Sequence, residues 1–393
     1  MKKKIAVLFA SDIYDQKGLF LAVHNRCKHL MQISKFDIDV YVLMTYKDRI
    51  VSRLLGIHPV KKVDNYEKDG VAYRVLWRRN SILDFVLYHK LRMPEFFHNL
   101  YNKYIAKTFK HYDLLSVHSG CGDIAYICKQ KYNIPYIVTW HGSDIHTAPY
   151  YSRFNRDNVI KVLTYAECNC FVSQGLYKLA NTIIPIEKFE ILYNGVGDLF
   201  YVYPQEKRVS IRRDLNVNEK KIVAFIGNII EVKNPLILPI IFTNVHNKYA
   251  GNLEFWFIGD GELRKSLECR MGDTPCKYKF WGNQKPEEIP RLLQCINVVI
   301  LPSLNEGFAL TVLEALSCGA NAVGSNVGGM QEVLGSENVF DLNNAFVEKI
   351  SDRIVHFLTK EQAQYLNPEF SWVVTAKKEN RIIENVFKNG KKI

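Results

Sequence analysis

The sequence predicts an α/β protein made of two doubly wound domains, each a parallel sheet with helices on both faces. Three observations predict it. At 393 residues the chain is too long for one ordinary hydrophobic core. Short β-branched and aromatic runs alternate with longer helical patterns almost from end to end. Those runs are apolar at nearly every position rather than at every second one, as expected of strands buried on both faces.

The strands follow in order. The first half offers "KIAVLF" (residues 4–9), "DIDVYVLM" (37–44), "VAYRVLW" (71–77), "DLLSVH" (113–118), "YIVTWH" (136–141), "CNCFVS" (168–173) and "FEILYNGV" (189–196). The second offers "KIVAFIG" (221–227), "LEFWFIG" (253–259), "KYKFWG" (277–282), "NVVILPS" (297–303), "ANAVGS" (320–325) and "NVFDL" (338–342). The two series part near "GDLFYVYPQEKRVS" (197–210), which sets domains at 1–200 and 201–370, and "FSWVVTAKKENRIIENVFKN" reads as a last amphipathic helix within 371–393. There is no repeat of 20 to 50 residues and no low-complexity tract.

Composition narrows the class. With 48% apolar and 23% charged residues the chain reads as a well-packed globular protein. The net charge of +12 is uneven: residues 1–200 hold 28 Lys and Arg against 18 Asp and Glu, the remainder 24 against 22. A basic first half suits an anionic partner such as a phosphorylated ligand or an acidic membrane surface. Nine cysteines without a CxxC pair suit reduced, buried thiols. The start "MKKKIAVLFASD" has an apolar core too short for an export signal, and no apolar run reaches the roughly 18 residues that span a bilayer. The expected location is the cytoplasm, with peripheral attachment to the inner face of the cytoplasmic membrane as the further expectation.

Ligands of open parallel sheets bind past the carboxyl ends of the strands. The residues there are Asn305-Glu306-Gly307 after "NVVILPS", Asn228 with Lys233 after "KIVAFIG", Asp260-Gly261-Glu262 after "LEFWFIG", and His141-Gly142-Ser143-Asp144 after "YIVTW". In "NEGFALTVLEALSCG" a nearly all-apolar helix is expected from Phe308 to Leu316, and its opening residues Gly307, Phe308, Ala309 and Leu310 offer backbone N–H groups and the positive dipole end to an anion. Glu314 lies inside that helix with no Lys or Arg within a turn, so it needs a partner: a distant basic residue, or the vicinal hydroxyls of a ribose.

The frame "LPSLNEGFALTVLEALSCGANAVGSNVGG" resembles the signature of the retaining glycosyltransferases of family 4, and the resemblance extends over nearly the whole chain through "HGSDI", "ILYNGV", "FIGDGELR" and "FSW". It implies the GT-B fold: two Rossmann-like domains facing each other across a cleft, with the C-terminal segment crossing back onto the first. It implies Lys233 on the donor diphosphate, Glu314 on the nucleotide ribose and Glu306 on the hydroxyls of the transferred sugar. His141 would line the reaction centre, and Gly18 would let backbone approach the donor phosphates. One position departs. Where the family has Gly-Arg, this chain has Gly227-Asn228, leaving Asn228 as a hydrogen-bond donor and Arg264 as the candidate substitute cation.

The activity implied is retaining transfer of a sugar, from a UDP-sugar first and a GDP-sugar second, to a saccharide or lipid-linked saccharide in polysaccharide biosynthesis. No cofactor, no metal and no nucleic-acid partner are expected, the nucleotide-sugar being a substrate. The competing readings are a sugar-nucleotide epimerase, a phosphorylase, or a non-catalytic sugar-nucleotide-binding scaffold. An aromatic segment within "SILDFVLYHKLRMPEFFHNLYNKYIAKTFKHYD" (81–113), rimmed by Lys and Arg, is expected to touch an anionic leaflet.

Overall fold

A computed structural model describes residues 2–14, 16, 18–47, 53, 61–81, 83, 86, 96–118, 120–360 and 363–389. The chain divides into two compact units, residues 1–194 with 372–393, and residues 195–371.

In the first unit, β1 (Lys4–Ala10), β2 (Asp37–Lys47), β3 (Asn65–Lys68), β4 (Val71–Asn80), β5 (Leu114–His118), β6 (Tyr136–Trp140), β7 (Cys168–Phe171) and β8 (Phe189–Ile191) form one sheet. Their order is β3-β4-β2-β1-β5-β6-β7-β8. All neighbours are parallel except the edge hairpin β3–β4. That hairpin was not visible as a strand pair in the sequence. "NYEK" is a polar edge strand, and its turn is Asp69-Gly70, both at positive φ (48° and 78°), the geometry that an Asp-Gly pair adopts in a two-residue hairpin.

The second unit has β9 (Lys221–Ile226), β10 (Leu253–Ile258), β11 (Tyr278–Gly282), β12 (Val298–Leu301), β13 (Asn321–Ser325) and β14 (Val339–Phe340), ordered β11-β10-β9-β12-β13-β14 and parallel throughout. Its core explains the continuous apolar runs. Ile222, Ala224 and Ile226 of β9 enter the hydrophobic layer on one face, and Val223 and Phe225 the layer on the other. Strand β12 splits likewise, Val299 and Leu301 against Val298 and Ile300. A strand covered on both sides has no polar face to show.

The final helix, Trp372–Asn389, buries Trp372, Thr375, Ala376, Glu379, Ile382 and Ile383, a stripe at three- and four-residue spacing. Ala376, Ile382 and Ile383 share a core with Ile5 of β1, Leu114 of β5 and Ile137 of β6, so the helix is part of the first unit. Eight of the nine cysteines are buried as free thiols, and Cys269 is exposed.

Candidate active site

In the second unit the loops after β9, β10 and β12 are fastened to one another by backbone contacts. Gly227 N–H donates to the Ile258 carbonyl (2.9 Å), Ile229 N–H to Asp260 (2.9 Å) and Leu304 N–H to Val232 (2.8 Å). The fit is close enough to demand glycine: a β-carbon on Gly259, at φ 129°, would lie 2.0 Å from the Gly227 carbonyl oxygen. A tight turn, Glu231–Lys233, ends on Asn234 at φ 50° followed by Pro235, which points the chain away and leaves Lys233 at the turn's end.

Lys233 meets Glu306 there. Its Nζ lies 2.5 Å from Glu306 Oε1, and the same oxygen accepts from Ser303 Oγ at 2.7 Å. Ser303 is in turn bridged through its carbonyl to Ser325 Oγ at the end of β13. Glu306 is buried and Lys233 half-buried, so the carboxylate is oriented by two donors while the ammonium keeps a face to solvent. Gly328 closes the other side. Its φ is 54°, and a β-carbon there would fall 1.6 Å from the Glu306 carbonyl oxygen.

The helix expected from Phe308 begins later, at Leu310, and runs to Ser317. Phe308 is instead pulled into the core, its ring 5.4 Å from that of Phe370 in an edge-on contact, which holds Gly307 and Phe308 in the loop. Of the four residues expected to open the helix, Ala309 is the N-cap and Leu310 the first helical residue. Ala309 has no side-chain oxygen to cap with, so the first turn lacks the side-chain acceptor that most helices acquire.

Val312, Leu313, Ala315 and Leu316 are buried, whereas Leu310, Thr311, Glu314 and Ser317 form a partly open stripe. No residue among those described donates a hydrogen bond to, or pairs with, the Glu314 side chain; it is half-buried, and burial pushes its carboxyl up to about 7. The structural ion pair considered above is therefore not what holds this glutamate among the described residues.

Two other expected residues lie at the neighbouring loops. Asn228 is exposed in the loop after β9. Arg264 is engaged by two carboxylates, Nε to Glu268 Oε1 at 2.8 Å and Nη1 to Asp260 Oδ2 at 2.9 Å, and these hold its charge balanced locally. On β2, Asp39 accepts from the Tyr112 hydroxyl and pairs with Arg74 at 3.1 Å. Among the described residues no group of three His, Cys, Asp or Glu is arranged to hold a metal.

The remaining expected residues belong to the first unit. Gly18 precedes the helix Leu19–Ile33 with φ 45°, and a β-carbon there would meet nothing within 4 Å, so open space borders it. His141 follows β6. Its N–H and that of Gly142 both donate to the Asp144 carboxylate (3.1 and 2.8 Å), which ties the "HGSD" loop into a fixed turn. Its Nε2 lies 2.9 Å from Nδ1 of His118 at the end of β5. Burial, and secondarily the Arg26 charge, push the His141 imidazole down to about 3; His118 is also lowered well below the ordinary range, by burial, His141 and Arg26. Two neutral imidazoles sharing a proton along one hydrogen bond are the result. Ser303 and Asp144 were not assigned roles in the sequence. Each lies within three residues of an assigned group, a signal that proximity to a strand end supplies.

These two units, each a sheet carrying its polar groups at strand ends, define a GT-B fold. A crystal structure of HepE from Anabaena in complex with UDP shares it, with a TM-score of 0.67 over 99% of this chain and all of that one, at 16% identity. Residues 207–385 match the family described as glycosyl transferases group 1. Among its relatives are the putative teichuronic acid biosynthesis glycosyltransferase TuaC of Bacillus subtilis, 22% identical over 67% of this chain and 66% of that protein, and a UDP-Gal:alpha-D-GlcNAc-diphosphoundecaprenol alpha-1,3-galactosyltransferase of Escherichia coli, 29% identical over 45% and 46%. The chain thus spans under two thirds of the length of these relatives.

Proposed function

We propose that the protein is a retaining, metal-independent glycosyltransferase that moves a sugar from a nucleotide-sugar, UDP-linked first, to a saccharide or lipid-linked saccharide in polysaccharide biosynthesis. The observation that carries it is the pairing of Lys233 and Glu306 at the strand ends, with the Glu314 carboxyl, unpartnered among the described residues, on the open stripe of the next helix. Lys233 and the uncapped turn at Leu310 meet the charge that builds on the departing diphosphate. Glu306, already aimed by Ser303, receives the hydroxyls of the transferred sugar, and Glu314 accepts from the ribose hydroxyls. His141, neutral at working pH, offers a hydrogen bond without adding charge where a sugar cation develops. The acceptor hydroxyl attacks on the face the diphosphate leaves, and a phosphate oxygen takes its proton; no side-chain nucleophile is required.

The test is nucleotide release from a panel of UDP-, GDP- and ADP-sugars, with and without saccharide or polyprenyl-linked acceptors, in EDTA throughout. Acceptor-dependent release with one donor is expected, and activity restored only by Mg²⁺ or Mn²⁺ would remove the metal-independent part. Release that needs inorganic phosphate identifies a phosphorylase, and sugar interconversion without acceptor an epimerase. Binding without turnover leaves a scaffold.

Peripheral attachment to the cytoplasmic face of a membrane is the second part of the proposal. Residues 82, 84, 85 and 87–95 of the aromatic segment, among them Phe85, Leu87, Tyr88, Leu91 and Met93, lie outside the described residues. Within its described part Leu83, Val86, Leu100 and Tyr104 are exposed, with exposed Lys103, Lys107 and Lys110, while Ile105 and Phe109 are buried. No helix among the described residues is long and apolar enough to cross a membrane. Sedimentation with anionic vesicles at low salt should capture the protein and release it at high salt. Equal, negligible capture by anionic and neutral vesicles would end this reading.

A further inference from the structure

The first unit contains a buried polar cluster that the reaction above does not use. Arg26, on the helix Leu19–Ile33, and Glu379, on the final helix, are both essentially inaccessible, with Arg26 Nε 2.6 Å from Glu379 Oε2. A buried pair of this kind is costly to assemble and is weak evidence for stability alone. Its other contacts suggest its use. Glu379 Oε1 accepts from Ser116 Oγ of β5 at 2.9 Å, and Arg26 Nη1 donates to Thr139 Oγ1 of β6 at 3.2 Å. Ser116 stands two residues before His118, and Thr139 two before His141. On a strand, that spacing returns the side chain to the same face. His118 is also the register partner of Thr139. One face of the β5–β6 pair is therefore polar from the ion pair toward the two histidines.

We propose that Arg26 and Glu379 are positioning residues for the His118–His141 pair, bracing the two strand ends that carry it and fixing the ring-to-ring hydrogen bond. Arg26 also sets the local charge. It disfavours a proton on either ring, and Glu379 balances it so that the guanidinium can remain buried. The other titratable groups around the cluster are Asp144, whose carboxylate is turned to the His141 and Gly142 amides, and the thiols of Cys27 and Cys170, which burial and neighbouring groups keep protonated. Arg26 Nε and Nη2 and Glu379 Oε2 make no hydrogen bond among the described residues, so the hydrogen bonds of this pair run to the Thr139 and Ser116 hydroxyls of the two strands. The C-terminal helix thereby takes part in shaping a reaction-centre residue encoded far upstream.

The experiment is NMR of ¹³C-labelled histidine in the full chain, titrated from pH 8 to pH 4, with His118 and His141 assigned by single substitutions. R26M/E379Q removes both charges at similar volume, an exchange that buried ion pairs commonly tolerate. The expected result is a His141 titration moved upward by about one pH unit, the effect of removing a nearby like charge, so that the ring is partly protonated at pH 4 where the parent's is still neutral, with the inter-ring hydrogen bond lost. Arg26→Lys, which keeps the charge, should retain the parent's titration. Ser116→Ala and Thr139→Val cut the two braces and keep the ion pair; each should shift the resonance of the histidine two residues on. Histidine resonances in R26M/E379Q identical to the parent's would overturn the proposal, and should that variant not fold, unchanged resonances in both S116A and T139V would do so. The functional consequence rests on the glycosyltransferase reading: a parent inert with every nucleotide-sugar would sink that reading and leave the ring titrations standing.

Discussion

Lys233→Ala is expected to lower turnover by about 100- to 1,000-fold, the usual loss when one fixed cation or donor is removed from developing charge. It should also cost about 2–3 kcal/mol of stability, because the substitution leaves a buried carboxylate with one donor instead of two. Glu306 is 8% exposed and keeps only Ser303 in that variant. The two losses have different origins, and a second substitution separates them. In K233A/E306Q there is no charge left to strand, so most of the stability should return while turnover stays low. Urea unfolding and steady-state rates on the same preparations test this. A double variant as unstable as K233A would show that the ion pair is not the source of the destabilisation, and an unchanged rate in K233A would remove Lys233 from the leaving-group site.

Glu314→Gln should do the opposite to stability and the same to binding. A carboxyl raised from the ordinary 4.5 to about 7 in the folded chain holds its proton longer there than in the unfolded chain. Between those values the folded state binds more protons, so stability falls as pH rises from 4.5 to about 7 and remains lower above. Allowing for partial exposure, the cost of the ionised carboxylate is about 2 kcal/mol. The glutamine variant should recover that amount at pH 8, gain little near pH 4.5, and show a flatter dependence of Tm on pH between the two. Nucleotide affinity should meanwhile drop about tenfold to a hundredfold, the worth of hydrogen bonds to a charged acceptor. Ribose hydroxyls favour the charged form, so calorimetry near pH 6 should record proton release when the parent binds UDP, and none in the variant. A variant that is no more stable than the parent at pH 8, yet binds as tightly, would remove Glu314 from the ribose site.

The sequence by itself determined the parallel, doubly wound class of the two sheets and the places to look for chemistry. Every strand proposed from a continuous apolar run is present, because a parallel strand between two helical layers must be apolar on both faces, and that requirement is written in consecutive residues. The residues just past strand ends could be chosen for the same local reason. Other features were out of reach. The edge strand Asn65–Lys68 is polar and short, so only its Asp-Gly turn marked it. The helix at Leu310 starts two residues late because Phe308 packs on Phe370, a contact that local propensity does not encode. Tertiary structure alone decided that Lys233 finds Glu306, that Arg264 is taken up by Asp260 and Glu268, that Glu314 is left without a partner among the described residues, and that Arg26 meets Glu379 from the other end of the chain. Secondary structure follows from patterns a few residues long, whereas the partner of a buried charge depends on which distant elements the sheet order brings beside it.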